Sequence, residues 1–137
     1  VKLVFADTFY WIALVNPRDS ANHQVNELSR SLGSTVILTT DEVLVEFLAF
    51  CASDLDLRVQ ASLVVQDIFS APNVRVIPQT RSSFLTGFAL YTARPDKRYS
   101  LTDCISMQAM HRENVSEILT NDRHFQQEGF RAVFRKT

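Results

Sequence analysis

An α/β fold with a five-stranded parallel sheet is what this chain predicts, on three observations. Short apolar runs alternate with helical patterns along the whole length. The first run, Leu3-Val4-Phe5-Ala6, is too continuous for a strand with one wet face and reads as a strand buried on both sides. Acids stand repeatedly where a strand or loop gives way to a helix, at Asp7, Asp103 and Asp122. Strands alternating with helices imply right-handed crossovers and helices on both faces of the sheet, a three-layer α/β/α arrangement.

At 137 residues the chain fits one domain, 1–137. Such a length buries roughly two thirds of the surface the unfolded chain exposes, so neither a disulfide nor a structural metal is needed. The content, 46% hydrophobic and 21% charged with three glycines and four prolines, excludes disorder and low complexity. Cys51 and Cys104 both fall in apolar helical patterns, as small core thiols do, and point to a reducing, cytoplasmic setting. The longest apolar stretch after the first strand, 43–52, is interrupted by Glu46 and is too short to span a membrane. No basic segment precedes an apolar one, so no signal peptide is expected. A net charge of −1 gives no global sign of nucleic-acid binding, which would have to come from a local patch.

The elements follow in order. The first strand stops at Asp7, and residues 8–15 read as a short helix broken by Asn16-Pro17. A second helix opens at Ser20, carries Val25, Leu28 and Leu32 on one face, and stops at Gly33. Residues 35–38 are the second strand. Thr39 and Glu42 match a capping box for a helix over 41–51 that buries Val43, Leu44, Phe47, Leu48 and Phe50 and carries Glu46 one turn beyond Glu42. Asp54 or Asp56 opens the next helix, with Leu57, Ala61, Val64, Val65, Ile68 and Phe69 on its apolar face. Residues 74–77 are the third strand, closed by Pro78. A helix over 79–92 follows with Phe84, Phe88 and Tyr91 inward, although Gly87 weakens it. The loop 93–99 has a local basic excess in Arg94, Lys97 and Arg98. Ser100-Leu101-Thr102-Asp103 is a second capping box, opening a helix to Arg112. Residues 116–119 form the fourth strand, ending at Thr120-Asn121-Asp122. A short helix over 123–128 stops at Gly129, and 132–134 is the fifth strand.

Asp7, Glu46, Asp103 and Asp122 each have a bland reading as a helix cap or a solvated acid. As a set they say more, because all strand-to-helix junctions of a parallel sheet lie on one edge, where ligands bind. Carboxylates sharing one pocket repel and need a cation. Hard oxygen ligands with few histidines select Mg²⁺ or Mn²⁺ over Zn²⁺, ions that commonly serve phosphodiester chemistry. Glu42 shares a helical face with Glu46, but the capping box accounts for it, so Glu46 is the preferred second acid. Asp41 reads as a first-turn acid.

Phe5-Ala6-Asp7-Thr8, Thr39-Thr40 followed by Val43-Leu44-Val45-Glu46, Ser100-Leu101-Thr102-Asp103, and Leu119-Thr120-Asn121-Asp122-Arg123-His124-Phe125 resemble the four motifs of the PIN domain, in that family's order and across nearly the whole chain. The chain is especially similar to the small VapC-type toxins. The resemblance implies a Mg²⁺- or Mn²⁺-dependent ribonuclease, sheet order 3-2-1-4-5 with the first strand central, and Asp7, Glu46, Asp103 and Asp122 as the acidic metal site. It also implies supporting polar roles for Thr8, Thr120 and Asn121, a homodimer, and a small antitoxin that covers the active site.

Arg94, Lys97, Arg98 and Arg123 are candidates for holding the RNA backbone, against the alternative of an ordinary solvated loop. Phe9, Tyr10 and Trp11 suit burial in the core or in a subunit interface better than base stacking. A catalytically silent RNA- or protein-binding module is the alternative reading. A phosphoacceptor receiver domain is less compatible, since none of Lys2, Lys97 and Lys136 stands at the end of a late strand. A haloacid-dehalogenase-like phosphatase needs an acid where Phe9 stands. Cys104 and His111 share a helical face without a third group to orient them, so nucleophilic catalysis has little support.

Overall fold

The computed structural model describes residues 1–135, so Lys136 lies outside the described residues. The elements are β1 (Leu3–Ala6), α1 (Thr8–Val15), α2 (Asn22–Ser31), β2 (Val36–Thr40), α3 (Asp41–Cys51), α4 (Leu55–Ser70), β3 (Val74–Ile77), α5 (Arg81–Ala93), α6 (Leu101–Arg112), β4 (Glu117–Leu119), α7 (Arg123–Gln127) and β5 (Arg131–Ala132). All strand pairs are parallel and the sheet order is β3-β2-β1-β4-β5. The central position of β1 explains its unbroken apolarity. Val4, Phe5 and Ala6 are all buried, with Phe5 opposite Leu38 on one side and Ile118 on the other. A receiver domain has the order 2-1-3-4-5, so the observed topology also separates the chain from that reading.

β2 runs two residues further than the apolar run suggests, and this moves the helix cap. Thr40, not Thr39, caps α3, its Oγ1 accepting from the Val43 amide at 3.1 Å. Thr39 is fully buried in the strand, where its hydroxyl donates to the Ala6 carbonyl (3.0 Å) and accepts from Trp11 Nε1 (3.3 Å). The expected Thr39–Glu42 box therefore does not form. Asp54 caps α4, accepting from the Leu57 amide. Ser100 and Asp103 form the expected reciprocal box at α6, and Thr80 with Ser83 forms another at α5. The second helix starts at Asn22, after Asp19 has accepted the Ala21 amide in a turn. β5 covers 131–132 instead of 132–134.

Several aromatic and aliphatic side chains expected inward point out. Leu48, Phe50 and Phe69 are exposed, as are Phe84, Phe88 and Tyr91. On α5 the reason is Gly87, which is buried against α6: a Cβ there would stand 2.4 Å from Ile105 Cγ1 and 3.1 Å from Ile105 backbone atoms. The glycine lets α5 and α6 close, and Leu90 packs on the same side. The rings at 84, 88 and 91 are left on the outer face, stacked with centroids 6.4 and 6.3 Å apart. Cys51 and Cys104 are both buried free thiols.

Candidate active site

β1 ends by delivering Asp7 to the carboxyl edge of the sheet, beside the end of β4. The backbone of Asp7 is extended, as an N-cap requires, yet its side chain makes no capping hydrogen bond to α1. The carboxylate instead accepts from Thr120 Oγ1 at 3.0 Å. Thr120 is itself fully buried and accepts from the Asp122 amide at 3.2 Å, so one hydroxyl ties the first acid to the turn that carries the last. Asp7 is only 6% exposed. Burial pushes its carboxyl up to about 7, the negative charges of Asp103 and Glu46 push the same way, and the Thr8 amide and Thr120 hydroxyl offset only part of this.

Glu46 projects from the second turn of α3 toward the start of α1. Thr8 Oγ1 donates to Glu46 Oε1 at 2.6 Å, which places this acid beside Asp7. Glu42, one turn earlier, lines a different recess with Gln79, Thr80, Arg81 and Phe84. Asp41 accepts from the Gln79 amide and so links the start of α3 to the end of β3.

Asp103 and Asp122 complete the group from α6 and the β4–α7 turn. Both also cap helices. Asp103 Oδ2 accepts from the Ser100 amide at 3.2 Å, and Asp122 Oδ1 accepts from the His124 amide at 2.9 Å. Capping and convergence are thus not alternatives here, since the same junction that needs a cap faces the crevice. Burial, helped by the charges of Asp122 and Glu46, raises the Asp103 carboxyl above its ordinary range. The imidazole of His124 stands over the pair, its Nδ1 3.4 Å from Asp122 Oδ1 and 3.8 Å from Asp103 Oδ2. One donor atom each from Asp103, Asp122 and His124 lie within 4.8 Å of one another. The sequence signal for His124 is an Asp-x-His spacing across a helix start, which by itself reads as a solvated histidine.

The basic candidates divide. Arg94 is committed to Glu128 by two hydrogen bonds of 3.0 Å each, and Tyr99 Oη donates to the same carboxylate at 3.1 Å. Lys97 lies 3.7 Å from Asp96. Arg98 and Arg123 are exposed, Arg98 in the left-handed region at φ 62°. Asn121 is exposed, and its carbonyl accepts from Arg135 Nη1 at 3.2 Å.

Among the described residues, no lysine or arginine pairs with any of the four acids; the one basic side chain within 4 Å of them is the His124 imidazole. A crowded carboxylate group without its own countercharge, offering oxygen donors and one imidazole nitrogen, fits a divalent ion by the chemistry of its donors. Solved structures share the fold. Mycobacterium tuberculosis VapC20, described as a sarcin–ricin loop cleaving toxin, superposes with a TM-score of 0.82 at 26% identity, covering 95% of this chain and 98% of that one. VapBC2 from Rickettsia felis, solved bound to a DNA fragment from its promoter, gives a TM-score of 0.67 at 16% identity over 95% of this chain and 96% of that one. No curated protein matches the sequence. The PIN domain model matches residues 4–130, a span that begins in β1 and takes in all four acids, and the chain therefore belongs to the PIN domain family.

Proposed function

We propose that residues 1–137 act as one metal-dependent endoribonuclease and serve as the toxin of a toxin–antitoxin pair. The observation that carries this reading is the meeting of Asp7, Glu46, Asp103 and Asp122 at one edge of the sheet without a lysine or arginine paired to them among the described residues. The likeness to VapC20, whose description names sarcin–ricin loop cleavage, supports RNA as substrate and makes a structured RNA loop the first one to try.

Asp7, Glu46, Asp103 and Asp122 would hold Mg²⁺ or Mn²⁺. When bound, such an ion supplies charge compensation to the phosphodiester and acidity to a water. The chain's own residues prepare the place. Thr120 orients the Asp7 carboxylate, Thr8 orients Glu46, and the Ser100 amide holds Asp103, so the acids are set by neighbours that are themselves buried or capping. Burial of Asp7 excludes water from one side of the group and makes its charge costly until a cation arrives. Arg98 and Arg123, both exposed and close in sequence to the Ser100–Asp103 box and to Asp122, suit electrostatic contact with the RNA backbone, with Lys97 as a weaker contributor. Arg94 is better placed as a structural group, given its grip on Glu128.

The partners that fit are a second copy of the chain and a small antitoxin presenting a basic segment to the acids. Arginine suits that segment because it pairs bidentately with carboxylates. A cytoplasmic location agrees with two free buried thiols and with the lack, among the described residues, of any helix long and apolar enough to cross a membrane.

The deciding experiment is cleavage of a structured RNA by the purified protein with Mn²⁺, with chelator, and with the Asp7→Asn variant. Activity that stops in both of the latter is expected. Mn²⁺-dependent cleavage by Asp7→Asn equal to the parent's would overturn the mechanism, and RNA binding without any cleavage would favour the silent module instead.

A further inference from the structure

We propose that His124 supplies an imidazole nitrogen to the metal position at the Asp103–Asp122 corner, and that this tilts the site from Mg²⁺ toward Mn²⁺. The inference rests on the metal-dependent reading above and adds to it a donor outside the four acids.

The geometry is that of ligands around a shared centre. His124 Nδ1 is 3.4 Å from Asp122 Oδ1 and 3.8 Å from Asp103 Oδ2, and the three donors lie within 4.8 Å of one another. These separations are too long for good hydrogen bonds. Donors each about 2.1 Å from a common ion stand roughly 3 Å apart when adjacent and about 4.2 Å apart when opposite, so the spacing suits a cation-sized gap.

The imidazole is also held in place from behind, by residues with no part in the acidic group. Its ring meets the Tyr99 ring edge to face, centroids 5.4 Å apart at 62°. Tyr99 is fixed through its hydroxyl to Glu128 Oε1 (3.1 Å), and Glu128 is clamped by Arg94. The His124 amide, bonded to Asp122 Oδ1, sets the backbone of the histidine relative to the same carboxylate. A histidine that is merely solvated looks different: the His23 side chain is 85% exposed, whereas that of His124 is 22% exposed. A second layer of contacts that fixes the ring is one of the supports that orient a metal-ligating imidazole.

The chemistry gives the consequence. Mg²⁺ strongly prefers oxygen and gives up water reluctantly, while the first-row transition ions, Mn²⁺ the weakest binder among them, accept an imidazole nitrogen more readily than Mg²⁺ does. One nitrogen among carboxylates therefore favours Mn²⁺ in relative terms.

The test uses the metal-free protein titrated with Mn²⁺ and observed by electron spin-echo envelope modulation. Bound Mn²⁺ should show coupling to an imidazole ¹⁴N in the parent protein. In His124→Gln that coupling should vanish, with Mn²⁺ affinity down about tenfold and Mg²⁺ affinity, read by competition, changed less than about threefold. The parent spectrum decides the matter even if the variant folds poorly. Mn²⁺ that binds the parent without ¹⁴N coupling, or a coupling that persists in His124→Gln and so arises from His23 or His111, would overturn the role of His124 and leave the four-acid reading standing. Failure of the parent to bind Mn²⁺ at all would remove both.

Discussion

Two carboxylates, Asp7 and Glu128, show opposite responses to the same fold. Asp7 is buried with other acids and a threonine for company, and its carboxyl is pushed up to about 7. Glu128, bonded to the connection between α5 and α6, is held below its ordinary range by hydrogen bonds from Arg94, with Tyr99 assisting. Glu117 repeats the second pattern, paired with Lys2 at 3.1 Å and with Arg131. At Glu128 and Glu117 the chain provides the countercharge from its own sequence. Where it leaves the acids uncompensated, the charge awaits a partner from outside, and the cost of burying it is carried by the rest of the fold.

The largest expected effect comes from cancelling that uncompensated charge. Asp7→Asn keeps the shape and the ability to accept from Thr120, yet should lower Mn²⁺-dependent RNA cleavage by at least about a hundredfold. RNA binding, measured by filter retention at moderate salt, should be no weaker than the parent's because a negative charge near the phosphates has gone.

The second effect is on stability and has a definite sign. A carboxyl with its folded value raised from 3.8 to about 7 binds more protons folded than unfolded between those values, so the metal-free protein should lose stability as pH rises through that window. The loss is on the order of 4 kcal/mol at most. Urea denaturation from pH 4 to 8 should show it in the parent, less of it in Asp7→Asn, and less again in the parent with saturating Mn²⁺. A parent curve that rises steadily with pH would mean that the burial of Asp7 is compensated in some other way.

Glu128→Gln should move the comparison the other way. It removes the partner of Arg94 and weakens a charge-assisted pair, costing roughly 1–3 kcal/mol at pH 7. Since the folded value of Glu128 lies below its ordinary 4.5, the contribution is present above that pH and lost as pH falls through the folded value. Thermal melts at pH 7 and pH 3 check this, and a variant equally destabilised at both would break the assignment. The smallest effect is Arg98→Ala, expected to weaken RNA binding by roughly threefold and to reduce its salt dependence by about one unit of slope.

Much of the fold and of the acidic group is legible in the residues alone. Buried on both sides, β1 has to be apolar throughout, so its run marks the centre of the sheet, and the acids mark strand-to-helix junctions because a parallel sheet gathers those junctions on one edge. Other features are not legible there. The large rings of α5 predict its inward face, but the residues it buries are Gly87, set against Ile105 of α6, and Leu90, because close approach of two helices selects for a missing side chain as readily as for a large one. Arg94 reads as a free cation in a basic loop, and its partner lies 34 residues away.

The sequence by itself determined the fold class, the order of elements, the four acids and the family motifs, since these depend on local periodicity and on residue types at junctions. Only the tertiary structure decided that Thr120 reaches Asp7 across 113 residues, that Thr8 holds Glu46, that Glu42 lines a different recess, and that His124 lies within 4 Å of both Asp103 and Asp122 with its ring against Tyr99. The physical reason is that a side chain's charge state and role follow from what lies within a few ångströms of it, and in a parallel sheet those neighbours come from crossovers that separate them widely along the chain.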